Sequence, residues 1–308
     1  MFARIVVGVL LIARSGQKKT GEQGYRESIN PQHRCSVVTA LGGRLHLENV
    51  ELSDGWGTPL NTLDDGSASS APPTPWAIRY GGALLTEGAE LSLTKVSAQG
   101  NQAHYGAAIA IMPGADGAGA NSTLQGVELS ENVISIFPDD ALPVPTGALY
   151  VEGGIIDISA SLFEENDNPN LTTLASGAAI ATIAAEVSIF NSRVLNNSGP
   201  RGPGLMVIED AAAPGPQLLN TTFARNTALY DSGAVMMIGS DEALPGDGAI
   251  IGALFDDNKA RTGLGGALTL ANSDTWVEHS LFSRSSAFDA GALAISAFGS
   301  HTVIPSVF

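Results

Sequence analysis

The sequence predicts an all-β protein built as a single parallel β-helix of about nine coils, with its last coil open at the C-terminal end. Two patterns predict this fold: Phe-x-x-Asn, as in residues 255–258, and a glycine followed by small and aliphatic residues, as in 265–268. They return about every 25 to 40 residues, a period typical of solenoids. Short runs with alternate apolar residues indicate strands with one buried face. Because so short a unit cannot bury that face alone, successive units must stack on a shared core.

An asparagine closes the first pattern in six units and sets the register of the repeat. Gly55 precedes this column and Ser285 continues it. The column consists of Asn101, Asn132, Asn166, Asn197, Asn226 and Asn258. Amide side chains stacked in successive coils can hydrogen-bond along the stack, and asparagine tolerates the left-handed conformation of a bend. We therefore expect a structural asparagine ladder.

A glycine opens the other half of each unit and precedes the small and aliphatic residues. The coil-opening glycines are Gly81, Gly106, Gly147, Gly177, Gly204, Gly233, Gly265 and Gly291. Glycine suits a turn that needs positive φ or a close approach of the backbone. We expect one of these two reasons at each position.

Composition narrows the classes of function. The 308 residues carry a net charge of −16, which disfavours nucleic acid and anionic membrane surfaces as partners. Cys35 is the only cysteine, so neither an intrachain disulfide nor a cysteine metal site can form. The longest apolar run, residues 5–13, is far shorter than the roughly 20 residues of a membrane-spanning helix.

The N-terminal residues 1–34 divide from the repeat domain, which we place at 35–308. The apolar run at 5–13 has the size of a secretory signal core, and a strand of a preceding coil is the alternative. Residues 17–34 are polar and aperiodic, as in a linker.

At the two repeat motifs the chain resembles the polymorphic outer-membrane proteins of the chlamydial type, which carry Gly-Gly-Ala-(Ile/Leu/Val) and Phe-x-x-Asn. Both motifs are intact at 265–268 and 255–258, and the first also at 81–84. The resemblance covers residues 35–308. It implies a right-handed parallel β-helix at or beyond the cell surface, in the cell envelope or outer membrane, with a role in adhesion.

Two groups of residues are candidates for binding or catalysis. Trp56, Trp76 and Tyr80 lie in a long insertion, where they either contact a partner or cover the end of the helix. Paired carboxylates can cleave glycosides, and Asp139 with Asp140 is the one pair that we retain as a catalytic candidate. The other pairs occupy the variable positions of Phe-x-x-Asn, which also accept arginine.

Other chemistry finds little support in the sequence. Only Lys95 is cationic between positions 80 and 192, against thirteen acids, so an acidic polysaccharide lacks side chains to bind there. The five histidines show no metal-ligand spacing, and we predict no metal and no cofactor. Four Asn-x-Ser/Thr triplets are candidate glycosylation sites, although a chain rich in these residues produces such triplets by chance: Asn121, Asn170, Asn196 and Asn220.

The sequence thus favours a non-catalytic module, secreted or on the cell surface, that acts in adhesion, recognition or structure. Its expected partner is a surface glycan or a protein receptor. A carbohydrate-active enzyme, either a polysaccharide lyase or a hydrolase, is the alternative on the same scaffold. The alternative requires convergent polar residues on one outward strand face of adjacent coils, whereas an adhesin requires loops and aromatic residues along one edge.

Overall fold

A computed structural model describes residues 27–29, 36–59, 79–117, 119–135, 145–170, 176–209, 215–239, 248–296, 301–303 and 306–307. These residues form 32 strands, numbered β1 to β32 in chain order, and no helix, which confirms the predicted all-β class. Residues 1–26, Cys35, Trp76, Asp139 and Asp140 lie outside the described residues.

One nine-stranded parallel sheet, sheet A, takes a single short strand from each unit. Its strands, in spatial order, are β1 (Glu27–Ile29), β3 (Val50–Ser53), β7 (Ser97–Gln99), β11 (Glu128–Ser130), β15 (Leu162–Glu164), β18 (Arg193–Leu195), β22 (Thr222–Ala224), β26 (Leu254–Asp256) and β30 (Leu281–Ser283). Strand β1 lies within the stretch predicted as a linker and pairs with β3 of sheet A. Three residues are too few to show an alternating pattern in sequence.

The larger sheet, sheet B, begins with two strands of 11 residues, β2 (Val38–Glu48) and β6 (Leu84–Thr94). In later units each long strand is replaced by two shorter ones, so the sheet divides into two arms beyond β6. The first arm contains β9 (Ile109–Met112), β13 (Leu149–Glu152), β16 (Ile180–Ile183), β20 (Leu205–Ile208), β24 (Val235–Ile238), β28 (Leu268–Ala271) and β31 (Leu293–Ser296). The second arm contains β10 (Asn121–Gln125), β14 (Ile155–Ser159), β17 (Glu186–Phe190), β21 (Gln217–Leu219), β25 (Gly248–Ile251), β29 (Thr275–Glu278) and β32 (His301–Val303).

Short strands complete the coils. Parallel pairs join β8 (Gln102–Ala103) with β12 (Val133–Ile134), and β19 (Ser198–Gly199), β23 (Thr227–Ala228) and β27 (Lys259–Ala260) with one another. Strands β4 (Thr58–Pro59) and β5 (Arg79–Tyr80) form the one antiparallel pair of the described strands. Stacked parallel sheets of this kind define a β-solenoid.

Side-chain alternation places two apolar clusters on opposite faces of the first arm. Ile180 lies in the main core, and its neighbour Ala181 lies in a second cluster with Tyr105, Tyr150 and Met206. Phenylalanines at one register position stack in the main core, where the rings of Phe255 and Phe282 are 4.7 Å apart. Like side chains therefore pack on like side chains from coil to coil.

The structure corrects the single glycine column. Strand register distributes the eight glycines over three consecutive positions. Gly81, Gly106, Gly177 and Gly265 occupy the first position, all with positive φ. Gly147, Gly233 and Gly291 occupy the second position, and Gly204 occupies the third.

The left-handed bend also lies elsewhere than predicted. None of the six ladder asparagines has positive φ, whereas the residue directly before each of them does. That preceding position holds Gly100, Glu131, Glu165, Asn196, Arg225 and Asp257. A bend of this kind tolerates different side chains because they point into solvent at the corner, which accounts for the mixed charges at the variable positions of Phe-x-x-Asn.

Candidate functional site

The six asparagines form a continuous hydrogen-bonded ladder inside the solenoid. Each of Asn101, Asn132, Asn166, Asn197 and Asn226 donates from Nδ2 to Oδ1 of the next asparagine over 3.0 Å. All six side chains are fully buried, and each Nδ2 also donates to a backbone carbonyl. Because burial and internal bonding occupy these amides, the ladder is a structural element and offers no ligand site.

A groove on the outward face of β2, β6, β10 and β14 gathers polar side chains from four adjacent coils. It encloses about 600 Å³. We call it the outer groove and define it by Arg44, His46, Glu90, Ser92, Asn121, Thr123, Ile155 and Asp157. The side chains reach the same face because outward residues alternate with buried ones such as Leu45, Leu91 and Leu124.

Parallel register aligns four of these residues in one column across the strands. His46 pairs with Ser92, Ser92 with Thr123, and Thr123 with Asp157. Neighbouring strands lie about 4.8 Å apart, so the four side chains follow one another closely along this face. The Nδ1 atom of His46 lies 3.1 Å from Oγ of Ser92.

The outer groove carries charges of both signs. Arg44 pairs with Glu90 across β2 and β6, and its Nη2 lies 3.5 Å from Glu90 Oε1. Asp157 adds a carboxylate further along the face. Glu90 and Asn121 also line an adjoining hollow of about 670 Å³, to which Glu87 and Asp116 contribute carboxylates. The two cavities therefore adjoin each other at Glu90 and Asn121, and the hollow is the more acidic of the two.

The aromatic candidates divide between surface and core. Trp56 is 39% exposed, and the Arg79 guanidinium lies 5.1 Å from its ring centroid. Tyr80 instead stacks on Tyr105 at 4.8 Å, and Tyr105 packs edge-on against Tyr150. Burial raises the pKa of the Tyr80 phenol, with Glu152 adding to the shift. Trp56 is thus free to contact a partner, whereas Tyr80 mainly packs in the second cluster.

The four candidate glycosylation sites differ in environment. Asn121 is exposed in the outer groove, and Asn220 is exposed at a bend with positive φ. Asn196 accepts a hydrogen bond from Arg225 and donates one to Glu164. Asn170 is buried and donates to the carbonyl of Ser135. The first two positions leave the amide accessible in the folded chain.

Carboxylates of the Phe-x-x-Asn pattern form surface contacts. Asp256 accepts from Nε of Arg284 at 3.0 Å, and this hydrogen bond lowers the pKa of Asp256. Glu164 contacts Asn196 in the same way. These contacts run between neighbouring coils and bring no two carboxylates of different coils together.

Sequence reasoning missed two features. Glu209 follows β20 with both carboxylate oxygens buried and unpartnered, and burial, together with Asp274, raises its pKa to about 7. The polar column was also missed, although it lies at a constant nine residues before the ladder: His46 before Gly55, Ser92 before Asn101, and so on along the chain. The residues one position later, such as Leu47 and Leu93, are apolar and regular, and they indicate only the buried face of the strands.

Within the described ranges, no three or more His, Cys, Asp and Glu side chains are placed to hold a metal ion. The same ranges contain no helix of the length and apolarity that crossing a bilayer requires. Comparison of the chain with protein-family models, with curated proteins and with solved structures gives no match.

Proposed function

We propose that the protein is a secreted or cell-surface recognition module that binds a glycan in the outer groove. The observation that carries this proposal is the convergence of polar side chains from four adjacent coils on one outward strand face, the arrangement expected of a protein that handles carbohydrate on its strand face and not of an adhesin that binds through loops and aromatic residues. We further propose that the solenoid is right-handed with about nine coils. The nine strands of sheet A support the coil number, and the strong preference of parallel crossovers supports the handedness.

The chemistry of the groove suits sugar hydroxyl groups. Ser92 and Thr123 both donate and accept hydrogen bonds, and the Asn121 amide does the same through separate atoms. Ile155, which is 37% exposed, adds an apolar contact for the carbon-bound face of a sugar. Binding sites commonly combine an apolar lining with a few oriented polar groups.

The charges favour a neutral glycan over an acidic one. Arg44 is already paired with Glu90, and Asp157 and Glu87 repel an anionic chain. The overall charge of −16 acts in the same direction. Polysaccharides rich in carboxylates are therefore poor candidates.

The surface location rests on the resemblance of the repeat motifs to the polymorphic outer-membrane proteins. A protein receptor in place of a glycan would engage exposed Trp56 and its neighbour Arg79, because tryptophan and arginine are frequent anchors of protein interfaces. The carbohydrate-active enzyme remains a second candidate, favoured by the contact between His46 and Ser92.

A glycan array, run with and without calcium, tests recognition. We expect the wild-type chain to bind a neutral glycan, and the double variant Asn121→Ala, Thr123→Ala to bind it at least about fivefold more weakly, because two hydrogen bonds contribute roughly 0.5–1.5 kcal/mol each. Trp56→Ala is the matched control on another surface. Failure of every glycan to bind, or equal binding by the groove variant, overturns the proposal. Loss of binding in Trp56→Ala alone transfers recognition to the aromatic edge.

A further inference from the structure

We propose that Ser92 and His46 act as nucleophile and general base to hydrolyse ester substituents, such as O-acetyl groups, on the glycan in the outer groove. This inference rests on the proposed glycan function, and its test distinguishes failure of hydrolysis from failure of binding. It adds a chemical step to a surface that otherwise only recognises sugar.

The geometry of the pair fits this task. His46 and Ser92 are direct neighbours on β2 and β6, and the distance from Nδ1 to Oγ is 3.1 Å. That separation is within the reach of a general base on the proton of its nucleophile. Nδ1 accepts the hydroxyl proton when the imidazole carries its own proton on Nε2.

A carboxylate faces the other nitrogen of the ring. Glu48 lies two residues after His46 and therefore on the same face of β2, with Oε2 4.0 Å from Nε2 of His46. The Glu48 carboxylate lies on the Nε2 side of the ring, and Nδ1 faces Ser92. Glu48 is thus a positioning residue in a serine–histidine–carboxylate arrangement.

Hydrogen-bond donors lie on β10, the strand next to Ser92 on the side away from β2. Thr123 is the neighbour of Ser92 on the side opposite His46, and Asn121 precedes it by two residues on the same face. Neighbouring strands are about 4.8 Å apart, so the Thr123 hydroxyl is the donor nearest to a carbonyl group bound at Ser92, and the Asn121 amide lies further along the same strand. Donors at that place stabilise the oxyanion of acyl transfer.

The reaction proceeds in two balanced steps. Oγ of Ser92 bonds to the ester carbon and its proton passes to Nδ1 of His46. The carbon–oxygen bond to the sugar then breaks, and the leaving sugar hydroxyl takes that proton. Water then bonds to the acyl carbon and gives one proton to Nδ1 of His46. The bond between that carbon and Oγ of Ser92 breaks, Oγ takes the proton back from His46, and the carboxylic acid leaves. Nothing is oxidised or reduced, and water from the open groove is the only co-reactant.

The experiment incubates the full chain with O-acetylated cello-oligosaccharides and measures released acetate, with binding measured in parallel on acetylated and deacetylated forms. We expect acetate release above the buffer rate, reduced at least about 100-fold in Ser92→Ala and in His46→Gln. Glu48→Gln should lower kcat and leave KM unchanged. Ser130→Ala, which alters a hydroxyl on sheet A, is the control and should retain full activity.

Each outcome decides a separate point. Hydrolysis that persists in Ser92→Ala overturns the assignment of the nucleophile. Binding of the acetylated oligosaccharide without acetate release overturns the hydrolysis and leaves recognition intact. Absence of both binding and release also overturns the hydrolysis, and recognition is then decided by the glycan array. Labelling of the wild-type chain with a fluorophosphonate provides a test that needs no variant to fold: an adduct on Ser92 is expected, and a chain labelled elsewhere or not at all contradicts the proposal.

Discussion

The side-chain amide of Asn166 donates to Oδ1 of Asn197 over 3.0 Å, and neither residue is exposed to solvent. Nδ2 of Asn166 also donates to the carbonyl of Leu129, and Oδ1 of Asn166 accepts from both N and Nδ2 of Asn132. One side chain therefore satisfies polar groups in the coils on either side of it. The ladder stabilises the stack because each coil completes the hydrogen bonds of its neighbours.

Replacing Asn166 with alanine should destabilise the solenoid by roughly 3 kcal/mol, because each buried polar group left without a partner costs about 1–3 kcal/mol. The variant orphans two donors of Asn132 and removes the donors to Leu129 and Asn197. Chemical denaturation followed by circular dichroism gives the free energy of unfolding. Gln125→Ala, at an exposed strand position, should change it by less than about 0.5 kcal/mol. Equal losses in the two variants would exclude a special contribution of the ladder.

The ladder was predictable from sequence because one residue type recurs at fixed distances from a short apolar pattern. The division of sheet B was not, because β2 and β6 run unbroken through 11 residues while later units break at loops of variable length. The outer groove was missed because its column mixes His46, Ser92, Thr123 and Asp157, which share outward direction but no residue type.

The corrected glycine register predicts different responses to the same substitution. Gly106 has φ of +60°, and a Cβ there would lie 2.1 Å from the carbonyl oxygen of Ile109. Gly291 has no positive φ, and the nearest atom to its Cβ would be the carbonyl oxygen of Ser285 at 3.5 Å. Gly106→Ala should therefore cost at least about 2 kcal/mol, through left-handed strain and the backbone clash. Gly291→Ala should be neutral or slightly stabilising.

Thermal unfolding of the two glycine variants, measured side by side, checks this prediction. Both residues are coil-opening glycines in the sequence. If they occupied the same register position, the two alanine variants would lower the midpoint temperature of unfolding by similar amounts. A clearly lower midpoint temperature for Gly291→Ala, or an unchanged midpoint temperature for Gly106→Ala, would contradict the register described above.

Buried Glu209 makes stability depend on pH. Burial raises its pKa from the ordinary value of 4.5 to about 7, and the nearby Asp274 carboxylate adds to the shift. The folded chain therefore holds this proton more tightly than the unfolded chain does, and stability falls as pH rises from about 4.5 to about 7. The contribution is on the order of 2 kcal/mol, since one pKa unit corresponds to about 1.4 kcal/mol and some of the shift is lost to relaxation.

Glu209→Gln keeps the shape of the side chain and removes its charge. We expect the free energy of unfolding of the variant to exceed that of the wild-type chain at pH 8 and to be nearly the same at pH 4.5. The difference should grow as the pH rises between these two values. Asp274→Asn should move the midpoint of the wild-type transition to lower pH, because it removes the second cause of the shift. Glu131→Gln, at an exposed corner, controls for net charge. A free energy of unfolding that falls equally from pH 4.5 to 8 in wild type and Glu209→Gln would show that Glu209 is not the titrating group.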